Sequence, residues 1–411
     1  RRVHEPVETG RSNLEKNIAV ERAEELILSS ASALQTERVD LASALHRVLR
    51  ETVCANEDSP RFDCSAVDGY ALRRADADQS VKLVAEIQAG VAELPTIAAG
   101  ECARIFTGAQ LPAGADYVAM QEDVMVEGKT IRLTSISSGS NIRRRGENSH
   151  SGDMVVSVGS KLRAAEIAAL ASCGAVRPLV TRAARVVHFV TGNELIDPAE
   201  TPTGTELRDS NSGLVSSFLL SRGADLIHHQ RVGDSLEEAK RAVDSLNQKF
   251  DLLLVSGGAS VGDYDFAVPM LEHGGFQMRF ESVNLRPGKP LKFFTRDAAV
   301  AFALPGNPVS HWVILQFFIS KLLRAWSGID GQQTQLSARL EAPFAQTPNR
   351  RETQLPAIAT ATGEGWRLRP LPFTSSGDTA SVVGANALLR IPAGSAGFSA
   401  DDPVSFRLCE N

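Results

Sequence analysis

Three short segments of this chain carry residues suited to holding a phosphate or another oxyanion. The first, Ser256-Gly257-Gly258-Ala259-Ser260-Val261-Gly262-Asp263-Tyr264-Asp265, directly follows the apolar run Leu252 to Val255. Its glycines let the backbone approach a ligand closely, and successive N–H groups in such a turn form an anion-binding nest. Gly257, Gly258, Ser260 and Gly262 are therefore candidate ligand contacts. The segment is neither a Walker A loop nor a dinucleotide fingerprint, because no Gly-Lys-Ser/Thr follows and the Gly-x-Gly-x-x-Gly spacing is missing. The second segment, Asn284-Leu285-Arg286-Pro287-Gly288-Lys289-Pro290, stiffens two cations with prolines and a glycine. Rigid cations lose less entropy on binding an oxyanion, which marks Arg286 and Lys289. The third, Pro305-Gly306-Asn307-Pro308-Val309-Ser310, reads as a helix start, with Asn307 as cap and Pro308 in the first turn. Free N–H groups there favour an anion, so Pro305, Gly306, Asn307 and Ser310 join the candidates.

Acidic residues stand near the ends of other expected strands: Glu194 in Thr191-Gly192-Asn193-Glu194-Leu195, Asp234 in Val232-Gly233-Asp234, and Asp263 and Asp265 in the glycine-rich segment. Carboxylates beside a phosphate site suit magnesium, with Glu194, Asp234 and Asp265 as the expected ligands. Two weaker patterns, Asp63 to Ala71 and Arg104 to Ala109, set small and polar residues against glycine, as ligand-facing loops do. The run Arg143-Arg144-Arg145 reads first as a solvated basic loop. Neither His228-His229 nor Cys64 has a partner at catalytic spacing, and Cys64 reads as a packed small residue.

The elements that must position these loops alternate. Strand 185–190, helix 212–222, strand 225–229, helix 236–249 and strand 252–255 form a βαβαβ series, punctuated by Gly223 after a helix and a Ser235/Glu238 capping box. Strand 300–304 then leads into a helix ending near Trp326. A doubly wound parallel sheet follows, whose ligand-binding loops gather beyond the carboxyl ends of its strands. Before it, helical spacing over 17–34 and a short helix over 41–49 precede short strands at 82–87, 102–106 and 117–121, with a further helix at 163–172. After about Gly328, short strands at 335–340, 366–368, 387–391 and 404–408 predict a C-terminal β barrel or sandwich. The expected divisions are 1–54 with 153–180, helical; 55–152, small and mostly β; 181–328, α/β; and 329–411, the C-terminal barrel.

With 411 residues, 43% of them hydrophobic, the chain has enough material for several cores. A net charge of −6 argues against a bulk nucleic-acid binder, so anion sites must come from local clusters. Five scattered cysteines fit a reducing cytoplasm, and no apolar run approaches the roughly 20 residues that span a bilayer.

Taken in order, Ser65 to Ala71, Thr107-Gly108-Ala109, Thr191 to Leu195, Asp209-Ser210-Asn211, Ser256 to Asp265, Pro287 to Pro290 and Leu304 to Ser310 resemble the molybdopterin molybdenumtransferase family, MoeA in bacteria and the gephyrin E domain in animals. The resemblance spans about Ala19 to Ile391. It implies a homodimer of four-domain subunits, with the active site between the molybdopterin-binding α/β domain and the small β domain of the partner subunit. It also implies magnesium, with adenylyl-molybdopterin and molybdate as substrates and AMP as a product. Asp68, Thr107, Glu194, Asp234, Asp265 and Lys289 match positions of the family's site, and Ser375 and Ser376 contribute from the last domain. Arg286 stands where many relatives carry Lys, and Asn148 where a Gly-Glu-Asp pattern is common. Transient contacts with a molybdopterin adenylyltransferase and with molybdoenzyme maturation factors are further expectations. The alternatives are a molybdopterin adenylyltransferase, against which the chain's length argues, and a gephyrin-like scaffold without catalysis, against which Glu194, Asp265 and Lys289 argue.

Overall fold

The computed structural model describes residues 15–258, 266–329, 334–372 and 374–409. The chain divides into two units, one of residues 51–160 with 164–178, the other of 1–50, 161–163 and 179–411. Among the described residues no helix is long and apolar enough to cross a membrane.

The larger unit is built on a six-stranded sheet ordered Asp225–Val232, Arg185–Thr191, Leu252–Ser256, Ala299–Leu304, Lys292–Arg296 and Gln277–Phe280. The first four strands run parallel, as the alternating sequence predicts. The last two add antiparallel to the edge. Leu252–Ser256 and Ala299–Leu304 are buried at every position, because both faces of the sheet are covered. Leu252, Leu254, Phe302 and Leu304 enter one core with Val215 and Phe218 and with Val313, Phe317 and Leu322 of the helix that begins at Pro308. Leu253, Val255, Ala301 and Ala303 enter the other with Ala239, Ala242, Val268 and Leu271. Helices on both faces make the sheet doubly wound. The strand order turns back between Arg185–Thr191 and Leu252–Ser256, which places the ligand crevice at their carboxyl ends.

The helix expected over 236–249 is Leu236–Asp244, and the one expected from Pro308 runs to Ser327 with a π-helical turn at Leu315–Ile319. The early helix is Val20–Ser29, and the second stops at Ala44, since Val48 and Leu49 make β bridges instead.

The C-terminal part closes into a barrel of five strands, Glu352–Thr362, Gly365–Pro370, Leu336–Leu340, Pro403–Leu408 and Ala387–Ile391, the last pairing back to the first. Closure leaves no open edge, and Leu340, Leu355, Leu368, Leu389 and Phe406 fill the interior.

The smaller unit carries a six-stranded sheet ordered Tyr117–Met120, Gly69–Leu72, Glu101–Ile105, Val81–Ile87, Thr130–Leu133 and Val124–Glu127. Tyr70, Leu72 and Tyr117 pack on one face, Ala71, Ile105 and Val118 on the other.

Candidate functional site

Four loops leave the carboxyl ends of the parallel strands, and hydrogen bonds tie them together. Asn193 N–H donates to the Asp234 carboxylate at 2.9 Å while Asp234 N–H donates to Asn193 Oδ1 at 3.1 Å, which clamps the first loop to the second. Below this clamp, Ser235 caps its helix by accepting from Glu238 N–H at 3.2 Å. The Glu238 side chain accepts from Gly233 N–H at 3.0 Å, two residues before the Ser235 N–H that a capping box would reach. Glu194 is exposed, its carboxylate folded against Gly192.

The glycine loop begins with Gly257 at φ 88° and Gly258 at φ 59°. A Cβ on Gly257 would sit 2.7 Å from the Thr191 carbonyl oxygen, so the close approach of two loop roots excludes every side chain there. Gly306 of the fourth loop stands on the other side, where a Cβ would come 4.0 Å from Gly257 Cα. Ser260, Gly262, Asp263 and Asp265 lie outside the described residues.

Asn307 and Pro308 start the helix as the sequence predicts, yet the Asn307 side chain does not cap it. Its Nδ2 donates to Ser376 Oγ at 2.7 Å, and Val309 N–H donates to the Ser376 carbonyl at 3.0 Å. The exposed Ser375–Gly377 loop of the C-terminal part is thereby pinned to the turn. Asn211, in the first turn of the helix capped by Asp209, donates to the Gly306 carbonyl at 2.7 Å. Pro305 and Ser310 are buried, Ser310 at 4% exposure, so within this turn it is Gly306 and Asn307 that face solvent.

The stiff cationic loop closes on itself through Val283 N–H to the Lys289 carbonyl at 3.1 Å, with Gly288 packed against Ile314. Lys289 is exposed. Leu285–Arg286 pairs in parallel with the start of the Glu352–Thr362 strand, which brings Arg286 beside Arg351. Burial, and then the Arg286 guanidinium, push the Arg351 pKa below its usual value, and among the described residues neither arginine forms an ion pair. Two like charges held together this way gain most from an oxyanion between them. Sequence reasoning passed over Arg351, because its only local mark is an Arg350-Arg351 doublet followed by the polar residues Glu352, Thr353 and Gln354.

In the smaller unit, Asp68 and Thr107 meet. One Asp68 carboxylate oxygen accepts from Thr107 N–H at 2.8 Å and from Thr107 Oγ1 at 2.7 Å. These two bonds, with the positive charge of Arg104, lower the Asp68 pKa. Gly69 opens the strand that follows, where a Cβ would overlap the Ala119 carbonyl oxygen. The arginine run is neutralised locally: Arg144 pairs with Asp63 at 2.6 Å, Arg145 with Asp58 at 2.7 Å, and Arg143 lies 4.0 Å from Glu147 while donating to the Asn148 amide oxygen at 3.4 Å. Cys64 is buried, and burial raises its pKa.

Three family models match the chain in order: the MoeA N-terminal region (domain I and II) over residues 18–174, a probable molybdopterin binding domain over 188–325, and the MoeA C-terminal region (domain IV) over 337–408. Molybdopterin molybdenumtransferases of Staphylococcus aureus and Staphylococcus epidermidis are each 28% identical over 403 residues, covering 96% of both chains. The crystal structure of the molybdopterin biosynthesis MoeA protein of Pyrococcus horikoshii superposes with a TM-score of 0.71 at 25% identity, covering 96% of this chain and 100% of that one. A molybdenum cofactor biosynthesis protein of Pyrococcus furiosus shares the fold, with a TM-score of 0.57 at 17% identity.

Proposed function

Matched in all three of its parts, the chain belongs to the MoeA family, and we propose that it inserts molybdate into adenylyl-molybdopterin with release of AMP. The observation that carries this reading is the Arg286–Arg351 pair: a partly buried guanidinium held beside a second one, neither with an anionic partner among the described residues, on the same unit as the start of the glycine loop. In this reading the pair, with Lys289, receives the tetrahedral oxyanion, while Gly257, Gly258, Gly306 and Asn307 offer close backbone approach to the pterin and its phosphate. The Ser375–Gly377 loop, pinned to Asn307, borders the same ligand.

Glu194 and Asp234 are hard oxygen donors on loops joined by the Asn193–Asp234 exchange, and magnesium is commonly held by one or two carboxylates together with substrate phosphates. Bound there, the ion would neutralise charge on the phosphoanhydride. Asp234 keeps one oxygen for such a role, the other being engaged by Asn193; Asp265 stays a proposed third donor. Asp68, ionised and held by Thr107, is the acidic group the small β domain supplies. Positioning and charge neutralisation, rather than a protein nucleophile, lower this barrier. A homodimer in a reducing cytoplasm completes the proposal, in keeping with five free cysteines.

The test is AMP release by the purified protein from adenylyl-molybdopterin with magnesium, with and without molybdate. Molybdate-dependent release is expected. Binding of the substrate with no AMP released under either condition would overturn the reading.

A further inference from the structure

Beneath the ligand-facing loops lies a fully buried polar run that the proposed chemistry does not use. Ser256 Oγ stands 2.7 Å from His188 Nε2 and 2.7 Å from His311 Nε2, and all three residues have 0% exposure. Their places in the fold are specific. His188 lies in the strand that ends at Thr191, Ser256 is the last residue before Gly257, and His311 follows Asn307 by one helical turn. One hydroxyl therefore joins the roots of three of the four loops.

The direction of the protons follows from who can donate. Burial keeps both imidazoles neutral, so each carries a single N–H. His311 Nδ1 faces the Asn307 carbonyl oxygen at 3.4 Å, and two lone pairs would repel there. The proton thus sits on His311 Nδ1, and His311 Nε2 must accept. Ser256 Oγ–H donates to it, which leaves Ser256 Oγ to accept from His188 Nε2–H. His188 Nδ1 is then a bare acceptor, and it is indeed buried with no hydrogen-bond partner among the described residues. The run continues outward, because the Asn307 whose carbonyl it reaches donates its side chain to Ser376 at 2.7 Å.

We propose that His188, Ser256 and His311 are positioning residues that lock the Gly257-Gly258 start of the glycine-rich segment and the Pro305–Asn307 turn to the sheet and, through Asn307, hold the Ser375–Gly377 loop of the C-terminal part in place. The kinetic consequence rests on the function proposed above; the geometry does not.

Two arms test it on the full chain. Long-range proton–nitrogen spectra of protein labelled with nitrogen-15 histidine read each tautomer directly. A proton on Nδ1 of His311 and on Nε2 of His188 is expected, and a proton on Nε2 of both overturns the run. For the second arm, His311→Gln keeps an acceptor where Nε2 was, whereas His311→Asn reaches only the Nδ1 position and abandons Ser256. Circular dichroism first establishes that the variants fold. His311→Asn and Ser256→Ala should raise the KM for adenylyl-molybdopterin about tenfold with kcat little changed, as lost uniform binding does, while His311→Gln stays near the parent. Folded His311→Asn and Ser256→Ala proteins with the parent KM would reduce the run to core packing. If the parent itself releases no AMP, the proposed function fails and the tautomer arm still decides the positioning.

Discussion

Asp68 shows how a single half-buried carboxylate is held for use. Thr107 spends both its N–H and its hydroxyl on one oxygen, so the second oxygen of Asp68 stays open while its pKa is lowered. Asp68→Ala should abolish AMP release yet leave the oligomer intact by light scattering; undiminished turnover would remove Asp68 from the site. Because the carboxylate is already ionised below the usual range, an activity loss between pH 5 and 7 should not trace to it. Arg351 makes a sharper case. Its guanidinium is partly buried beside Arg286, and the fork geometry matters as well as the charge. Arg351→Lys should therefore raise the KM for molybdate by roughly tenfold and Arg351→Met by more, measured as molybdate-dependent AMP release. Equal KM values in both variants would show that the oxyanion binds elsewhere.

At the scale of elements, glycine separates positions that must approach from those that merely turn. Gly257→Ala places a Cβ 2.7 Å from the Thr191 carbonyl at a φ of 88°, so a loss on the order of 1–3 kcal/mol is expected. Gly213, inside the Ser210–Ser221 helix with open space around its missing Cβ, should do the opposite and gain about 1 kcal/mol as alanine. Thermal unfolding of the two variants side by side reads both signs, and a Gly257→Ala protein as stable as the parent would deny the close packing of the loop roots. The sequence made the parallel strands legible because burial on both faces leaves continuous apolar runs. It hid the antiparallel edge strands Gln277–Phe280 and Lys292–Arg296, whose mixed polar and apolar residues carry no such run. The motif residues of the site could be read from their glycines and prolines. Arg351, His188 and His311 could not, since each acts through a neighbour distant in sequence, and Asn307 was read as a cap when its side chain serves Ser376 instead.

The molecule as a whole should feel its buried histidines as acid is added. His311 has its pKa lowered to about 4 and His188 well below its usual value, both chiefly by burial, with His229 and His311 adding repulsion at His188 and the Asn307 carbonyl and Asp209 partly opposing the shift at His311. A histidine with a depressed folded-state pKa takes up its proton in the unfolded chain first. Stability is thus complete above the unfolded value near 6.5 and falls as the pH drops from there toward 4. For His311 alone the loss across that window is roughly 3 kcal/mol, since each pKa unit corresponds to about 1.4 kcal/mol. The lowered carboxyl groups of Asp58, Asp63, Asp68 and Asp251 contribute in the same direction, but only once the pH nears their ordinary range around 4. The two sets therefore separate on the pH axis. His311→Gln removes one titrating group while keeping a link to Ser256, so its unfolding midpoint should start below or near that of the parent at pH 7.5 and decline less steeply between pH 6.5 and 5. Parallel decline of the two proteins across that interval would mean that His311 is not held neutral in the folded chain.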